Sequence, residues 1–173
     1  MFDEGLMLRF GMPGGTCELI EKLLMPEVIA LDVEAKDWRE AIRIGGNLLL
    51  VVGGVQPRYL DAMIEMVTSM GPYIVLAPGI AISHARPEDG ANRVCLGLAR
   101  LKNSVLFGHR DNDPVDLIFA FAGIDAESHV QLLADLAEIL GEPERVTQIR
   151  RARSVAEVRS LLIGRGDGDG RSA

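Results

Sequence analysis

The sequence predicts a layered α/β domain, a single central mixed β-sheet flanked by helices, rather than a strict alternation of strand and helix. Three observations carry this. Apolar residues recur at helical spacing toward both ends of the chain, first at Trp38, Ala41, Ile42, Gly45, Leu48, Leu49 and Val52. Between those stretches the period changes to short runs rich in Val, Ile and Phe, divided by Pro, Gly, Asn and Asp. The chain has 173 residues, 48% hydrophobic and 25% charged, the profile of one globular domain with tails.

Taken in order, a helix around Cys17 to Leu24 leads to a strand, VIALDV. The helix that opens near Trp38 ends at Gly53-Gly54. A second begins with Pro57, tolerated in a first turn, presents Leu60, Met63, Ile64 and Val67, and stops at Gly71-Pro72. Five runs then read as one sheet: YIVLAP, GIAISHA, RVCLGLARL, SVLF and VDLIFAFAGI. The last is apolar almost throughout, which predicts a central strand covered on both faces. A helix over Ala126 to Leu140 turns Leu133, Leu136, Ala137 and Leu140 inward and stops at Gly141. Helices around Glu144 to Arg151 and Val155 to Leu162 complete the domain, which runs over residues 17–163.

Residues 1–16, with Gly11, Pro13, Gly14 and Gly15, read as an N-terminal extension. The tail GRGDGDGRSA, residues 164–173, has almost nothing apolar to bury and is expected to be disordered.

A net charge of −7, a pI near 5.0 and no basic cluster beyond Arg150, Arg151 and Arg153 argue against binding nucleic acid through its phosphates. Cys17 and Cys95 form no CxxC pair and read as reduced thiols, Cys95 as a small buried hydrophobe. The longest apolar run, NLLLVVGGV, falls far short of the about 20 residues a spanning helix needs. The N-terminus is acidic where a secretory signal would be basic. The expectation is a cytoplasmic protein that deals with a membrane only through a partner.

Three histidines are the candidates for chemistry. His84 ends the run GIAIS and precedes Ala-Arg-Pro, where a strand leaves the sheet. Its plain reading is a ring satisfied by a nearby carbonyl. Arg86 adds positive charge for an anion, while Glu88 and Asp89 solvate the turn. His129 follows Asp125, a plausible N-cap, and so falls in a helical first turn, where the dipole favours anions and lowers a histidine pKa. Its plain reading is a first-turn residue without a role. His109 lies in the polar turn FGHRDNDPVD and reads as solvated. The acids Asp111, Asp113 and Asp116 lack the glycine and glutamate of a calcium loop, so no metal site is expected.

No glycine-rich phosphate loop, zinc spacing or G-x-S-x-G elbow occurs. Histidine itself as a nucleophile that takes up a phosphoryl group is the remaining chemistry.

PGIAISHARPEDG, followed by the histidine of IDAESHVQLL, resembles the fructose–mannitol class of enzyme IIA domains of the bacterial sugar phosphotransferase system. WREAIRIGGNLL, VQPRYLDAMI, GPYIVLAPGIA and HRDNDPVD look like its ascorbate-type branch. The resemblance spans about Cys17 to Leu162 and implies the enzyme IIA fructose/mannitol-type fold. It implies a phosphotransferase with no cofactor beyond a covalent phosphoryl group. It further implies that HPr phosphorylates His84, and that His84 passes the group to a cysteine of enzyme IIB, which serves a membrane enzyme IIC. His129 maps onto the family's supporting histidine.

Two departures stand out. Many members have proline before the active histidine, where this chain has Ser83, whose hydroxyl is a candidate phosphate contact together with Arg86. Mannitol- and nitrogen-type members carry an arginine where Met66 falls. Two rival readings remain: a regulatory module whose His84 phosphorylation switches binding to a regulatory partner, and an interaction domain that has lost the chemistry.

Overall fold

The computed structural model describes residues 16–164, with side chains from Leu19 onward. The expected extension apart from Thr16, the expected tail apart from Gly164, and the side chain of Cys17 lie outside the described residues. Five strands form one mixed sheet: β1 (Ile29–Val33), β2 (Val75–Ala77), β3 (Ile80–Ser83), β4 (Cys95–Val105) and β5 (Val115–Ala122), in spatial order β1-β4-β5-β3-β2. β1 runs parallel to β4 and β3 parallel to β5, while the β4–β5 and β2–β3 pairs are antiparallel. β5 is the middle strand, and all of it but Asp116 is buried, as its apolar run predicts. The expected separate strand SVLF does not form. Ser104 and Val105 continue β4, with a register shift between Arg100 and Val105, Leu106 and Phe107 lie in the loop that follows, and VIALDV supplies the fifth strand through β1.

Two helical layers cover the sheet. α2 (Trp38–Val51) and α3 (Pro57–Met70) bury one core with Ala41, Ile42, Leu49, Tyr59 and Met63. α1 (Thr16–Leu23), α4 (Ala126–Leu140), α5 (Pro143–Arg151) and α6 (Val155–Ile163) bury the other, with Ile20, Leu132, Leu136 and Leu162 among its members. Asp37 caps α2 through the Glu40 amide at 2.8 Å, and Gly71, at φ 80°, ends α3. Gly45 lets α2 lie directly on the sheet, because a Cβ there would be 3.1 Å from the Ala120 Cβ.

The inward face of α4 is turned from the expected one. Leu132, Leu136 and Ile139 are buried, Leu133 and Leu140 are half-buried, and Ala137 faces solvent. Periodicity fixes a helix's apolar stripe only to about one residue when Leu and Ala occur on every side.

Arg100, 7% exposed, ties the C-terminal helices to the sheet. Its guanidinium donates to the carbonyls of Ile149 (3.0 Å) and Ala152 (2.6 Å) and pairs with Asp32 at 3.0 Å. Asp32 adopts φ 55°, a left-handed conformation that aspartate tolerates better than most residues. Arg100→Ala should cost about 2–4 kcal/mol in chemical denaturation, because it strands buried carbonyls. Asp32→Asn should cost less than about 1 kcal/mol, since that carboxylate is largely in water.

Candidate functional site

β3 and β5 are parallel neighbours, so their C-terminal ends open on the same edge of the sheet. His84 follows β3 there, and the chain leaving β5 passes through Gly123, Ile124 and Asp125 into α4, whose first turn carries His129. This is the usual place for a site in an open α/β sheet. The two histidines, distant in sequence, lie with ring centroids 4.9 Å apart and planes at 78°. Phe121 packs under both, stacked on His84 at 5.1 Å and 5.0 Å from His129, while Tyr73 meets His84 edge-on at 6.0 Å.

The His84 ring is oriented by its own backbone. Nδ1 lies 3.1 Å from the carbonyl of Ile82. A carbonyl only accepts, so Nδ1 carries the proton and Nε2 keeps its lone pair. Burial pushes the imidazole pKa below its ordinary 6.5, the Ile82 carbonyl opposes that shift, and the neighbouring His129 adds to it. Burial also lowers His129. Both rings are therefore predominantly neutral near pH 7.

Asp125 caps α4 as expected, accepting the Ser128 amide at 2.7 Å, while Ser128 Oγ accepts the amides of Ile124 (3.1 Å) and Asp125 (3.3 Å). The His129 amide closes the first helical turn on the Asp125 carbonyl at 3.2 Å. The amides of Ser128 and His129 are thus engaged locally, and what His129 offers the cleft is its ring.

The cleft has a volume of about 510 Å³, and His84, His129, Arg86, Met66, Glu88 and Asp125 contribute to its walls. Arg86 is exposed on its rim, and among the described residues its guanidinium has no ion-pair partner. Met66, from α3, contributes an apolar side chain to the wall. Ile124 and Val130, 52% and 63% exposed, form an apolar border beside His129, while Ile80 and Ile82 are buried.

Ser83 is not brought to the cleft. It is completely buried, and strand alternation turns its side chain to the face of Ala81 and Ala85, against α2 and α3. Its hydroxyl has no hydrogen-bond partner among the described residues. His109 lies at the opposite end of the sheet and is not merely solvated. Its Nδ1 accepts the amides of Asp111 (3.2 Å) and Asn112 (3.1 Å), a structural role inside its turn. Nearby, Asp113 accepts the amides of Phe107, Gly108 and His109, and Asp116 pairs with Arg150 at 3.0 Å.

Gly123 was not legible as a site residue. A Cβ at this position would lie 2.8 Å from the His129 amide nitrogen and 3.0 Å from its Cα. The backbone there yields little, so Gly123→Ala should displace the start of α4 and cost about 1–3 kcal/mol. Loss of the nuclear Overhauser contact between the His84 and His129 rings would report the displacement. An imidazole NMR titration of the free protein should show His84 Nε2 gaining its proton with a midpoint below 6.5 while Nδ1–H persists. A depressed folded-state pKa favours the neutral ring, so its contribution to folding is present above 6.5 and is lost as the pH falls through the folded value.

Comparison with known proteins places the chain among relatives of known family. The ascorbate-specific PTS system EIIA components of Escherichia coli K12 and Salmonella typhimurium are each 36% identical over 146 residues, 84% of this chain and 95% of theirs. Among solved structures, the mannitol-specific cryptic phosphotransferase enzyme IIA CmtB of Escherichia coli superposes with a TM-score of 0.76 at 32% identity, over 83% of this chain and 97% of that one. Enzyme IIA of the mannitol system, solved in complex with phosphorylated enzyme IIB from Escherichia coli, gives a TM-score of 0.72 at 29% identity, over 80% of this chain and 96% of that one. Residues 22–164 match the family described as phosphoenolpyruvate-dependent sugar phosphotransferase system, EIIA 2. This chain belongs to that EIIA family.

Proposed function

We propose that His84 Nε2 is the phosphoryl carrier of this EIIA protein, loaded by the phosphohistidine of HPr and discharged to a cysteine of enzyme IIB, in an uptake system for L-ascorbate. Membership of the family makes the chain a phosphotransferase component of sugar uptake. The sugar is inferred from the names of its relatives. One observation supports the assignment of the atom above all others: the Nδ1–Ile82 hydrogen bond, which leaves Nε2 as the nitrogen with a lone pair in the cleft.

In the loading step the Nε2 lone pair forms the new N–P bond while the donor's N–P bond breaks. The electron pair of that bond returns to the donor imidazole. Nδ1 keeps its proton throughout, and the Ile82 carbonyl stabilises the positive charge that the phosphorylated ring acquires. In the unloading step a cysteine thiolate attacks phosphorus, and the N–P electrons return to Nε2. Such a transfer passes through a loose transition state and asks mainly for alignment and charge stabilisation.

His129, with its ring centroid 4.9 Å from that of His84, is placed to donate a hydrogen bond to the phosphoryl oxygens. Arg86, on the rim, supplies a guanidinium to the cleft, with Glu88 and Asp125 tempering its field. A weak cradle suits a group that must leave again. No cofactor takes part. Ile124 and Val130 provide an apolar landing for HPr and enzyme IIB in turn, since both must reach the same nitrogen.

Incubation with phosphoenolpyruvate, enzyme I and HPr should give the wild type one acid-labile phosphate and His84→Ala none. His129→Ala should accept the label but deliver it to enzyme IIB about 100-fold more slowly. Full labelling of His84→Ala would end the carrier assignment, and wild-type delivery by His129→Ala would end the supporting role.

A further inference from the structure

The His84 ring is held by a hydrogen bond to its own chain two residues back, so its aim depends on the torsions on either side of its Cα. The Ile82 amide is fixed first, donating to Ile74 O at 2.9 Å. The opposite side is fixed from α3. The phenol oxygen of Tyr59, fully buried, accepts the Ala85 amide at 2.9 Å and lies 2.9 Å from the carbonyl of Phe121 and 3.2 Å from that of Ala85. A phenol has one proton, so it donates to the closer carbonyl, that of Phe121, and accepts from Ala85. The last paired residues of β3 and β5 are Ser83 and Ala120. One oxygen therefore takes the place of the next rung where the strands diverge.

That placement reaches both members of the aromatic stack. Ala85 N–H belongs to the peptide plane that also contains the His84 carbonyl, and Phe121 is the ring on which His84 lies at 5.1 Å. Phe121 is also two residues before Gly123, which abuts His129. We propose that Tyr59 is a positioning residue for phosphoryl transfer, its phenol oxygen bridging Ala85 and Phe121 so that His84 stays in one tautomer with Nε2 toward the cleft. The phenol touches neither phosphoryl group nor partner. Burial raises its pKa well above the ordinary tyrosine value, so the hydroxyl keeps the proton that the bridge requires. Tyr59 therefore acts only through the histidine. The proposal rests on His84 as the carrier, but the bridge can be tested without turnover.

Tyr59→Phe keeps the ring and removes the oxygen. Long-range nitrogen–proton NMR of the imidazole should show the single Nδ1–H tautomer of His84 replaced by a mixture of both. The rate of loading from phosphorylated HPr should fall about tenfold in kcat with KM for HPr within twofold, measured well below the variant's Tm. A residue that serves stability alone would lower Tm and leave the tautomer and the rate unchanged, and that outcome overturns the proposal.

If Tyr59→Phe does not fold, difluorotyrosine incorporation in a Tyr73→Phe background places the only fluorinated phenol at position 59, since the chain has two tyrosines. Weakening the oxygen as an acceptor should shift the same tautomer ratio, and an unshifted ratio overturns the proposal equally. Failure of wild type to take label would count against the carrier reading, whereas the tautomer measurement decides the bridge on its own.

Discussion

The Ile82 carbonyl makes the two nitrogens of His84 inequivalent, and the chemistry proposed for the site depends on that one contact. A free imidazole exchanges its proton between two nearly equal sites. Here the exchange is biased by a main-chain acceptor 3.1 Å from Nδ1. The acceptor is available because β2 is short. It pairs with β3 only through Val75 with Ala81 and Ala77 with Ile80, so the Ile82 carbonyl lies past the last paired rung. Burial then keeps the ring neutral, which makes the lone pair on the other nitrogen usable near pH 7.

The sheet supplies the second requirement, a neighbour at a fixed distance. His84 follows β3, and His129 lies in the first turn of the helix that follows β5, its parallel neighbour, so their separation follows from strand spacing and from the close approach at Gly123. Phe121 between them gives the imidazoles an apolar floor. The two helical layers serve different ends. α2 and α3 form a tight backing, with Gly45 against Ala120 and Tyr59 reaching through to the strand ends. α4 brings His129 to the cleft, and its cap residues Asp125 and Ser128 set where the helix begins.

Much of this was legible in the sequence. The mixed sheet, the central strand, the Asp125 cap, the stops at Gly71 and Gly141, and the positions of His84 and His129 at strand end and helix start all followed from local patterns. Those patterns are set by residues close together in the chain. The misreadings concern contacts across it. SVLF read as a new strand because Asn103 looks like a break before it, yet Asn103 lies within β4. Ser83 looked like a phosphate ligand by adjacency to His84, but alternation along a strand sends neighbours to opposite faces. Gly123 carries no local sign of its role, since only the folded chain puts His129 above it. Tyr59 did leave a trace. It falls four residues before Met63 on the apolar face of α3, and a buried phenol usually finds a partner for its oxygen.

The guanidinium of Arg100 has a bearing on how the chain can be cut and joined. Because it grips the carbonyls of Ile149 and Ala152, the last two helices belong to the folding unit and are no detachable appendage. Trimming back to Leu140 would leave a cation lodged in the interior with little but Asp32 to answer it. A downstream module spliced to this protein, such as the thiol-bearing acceptor it serves, should therefore be grafted beyond Gly164, where the tether leaves that anchor intact.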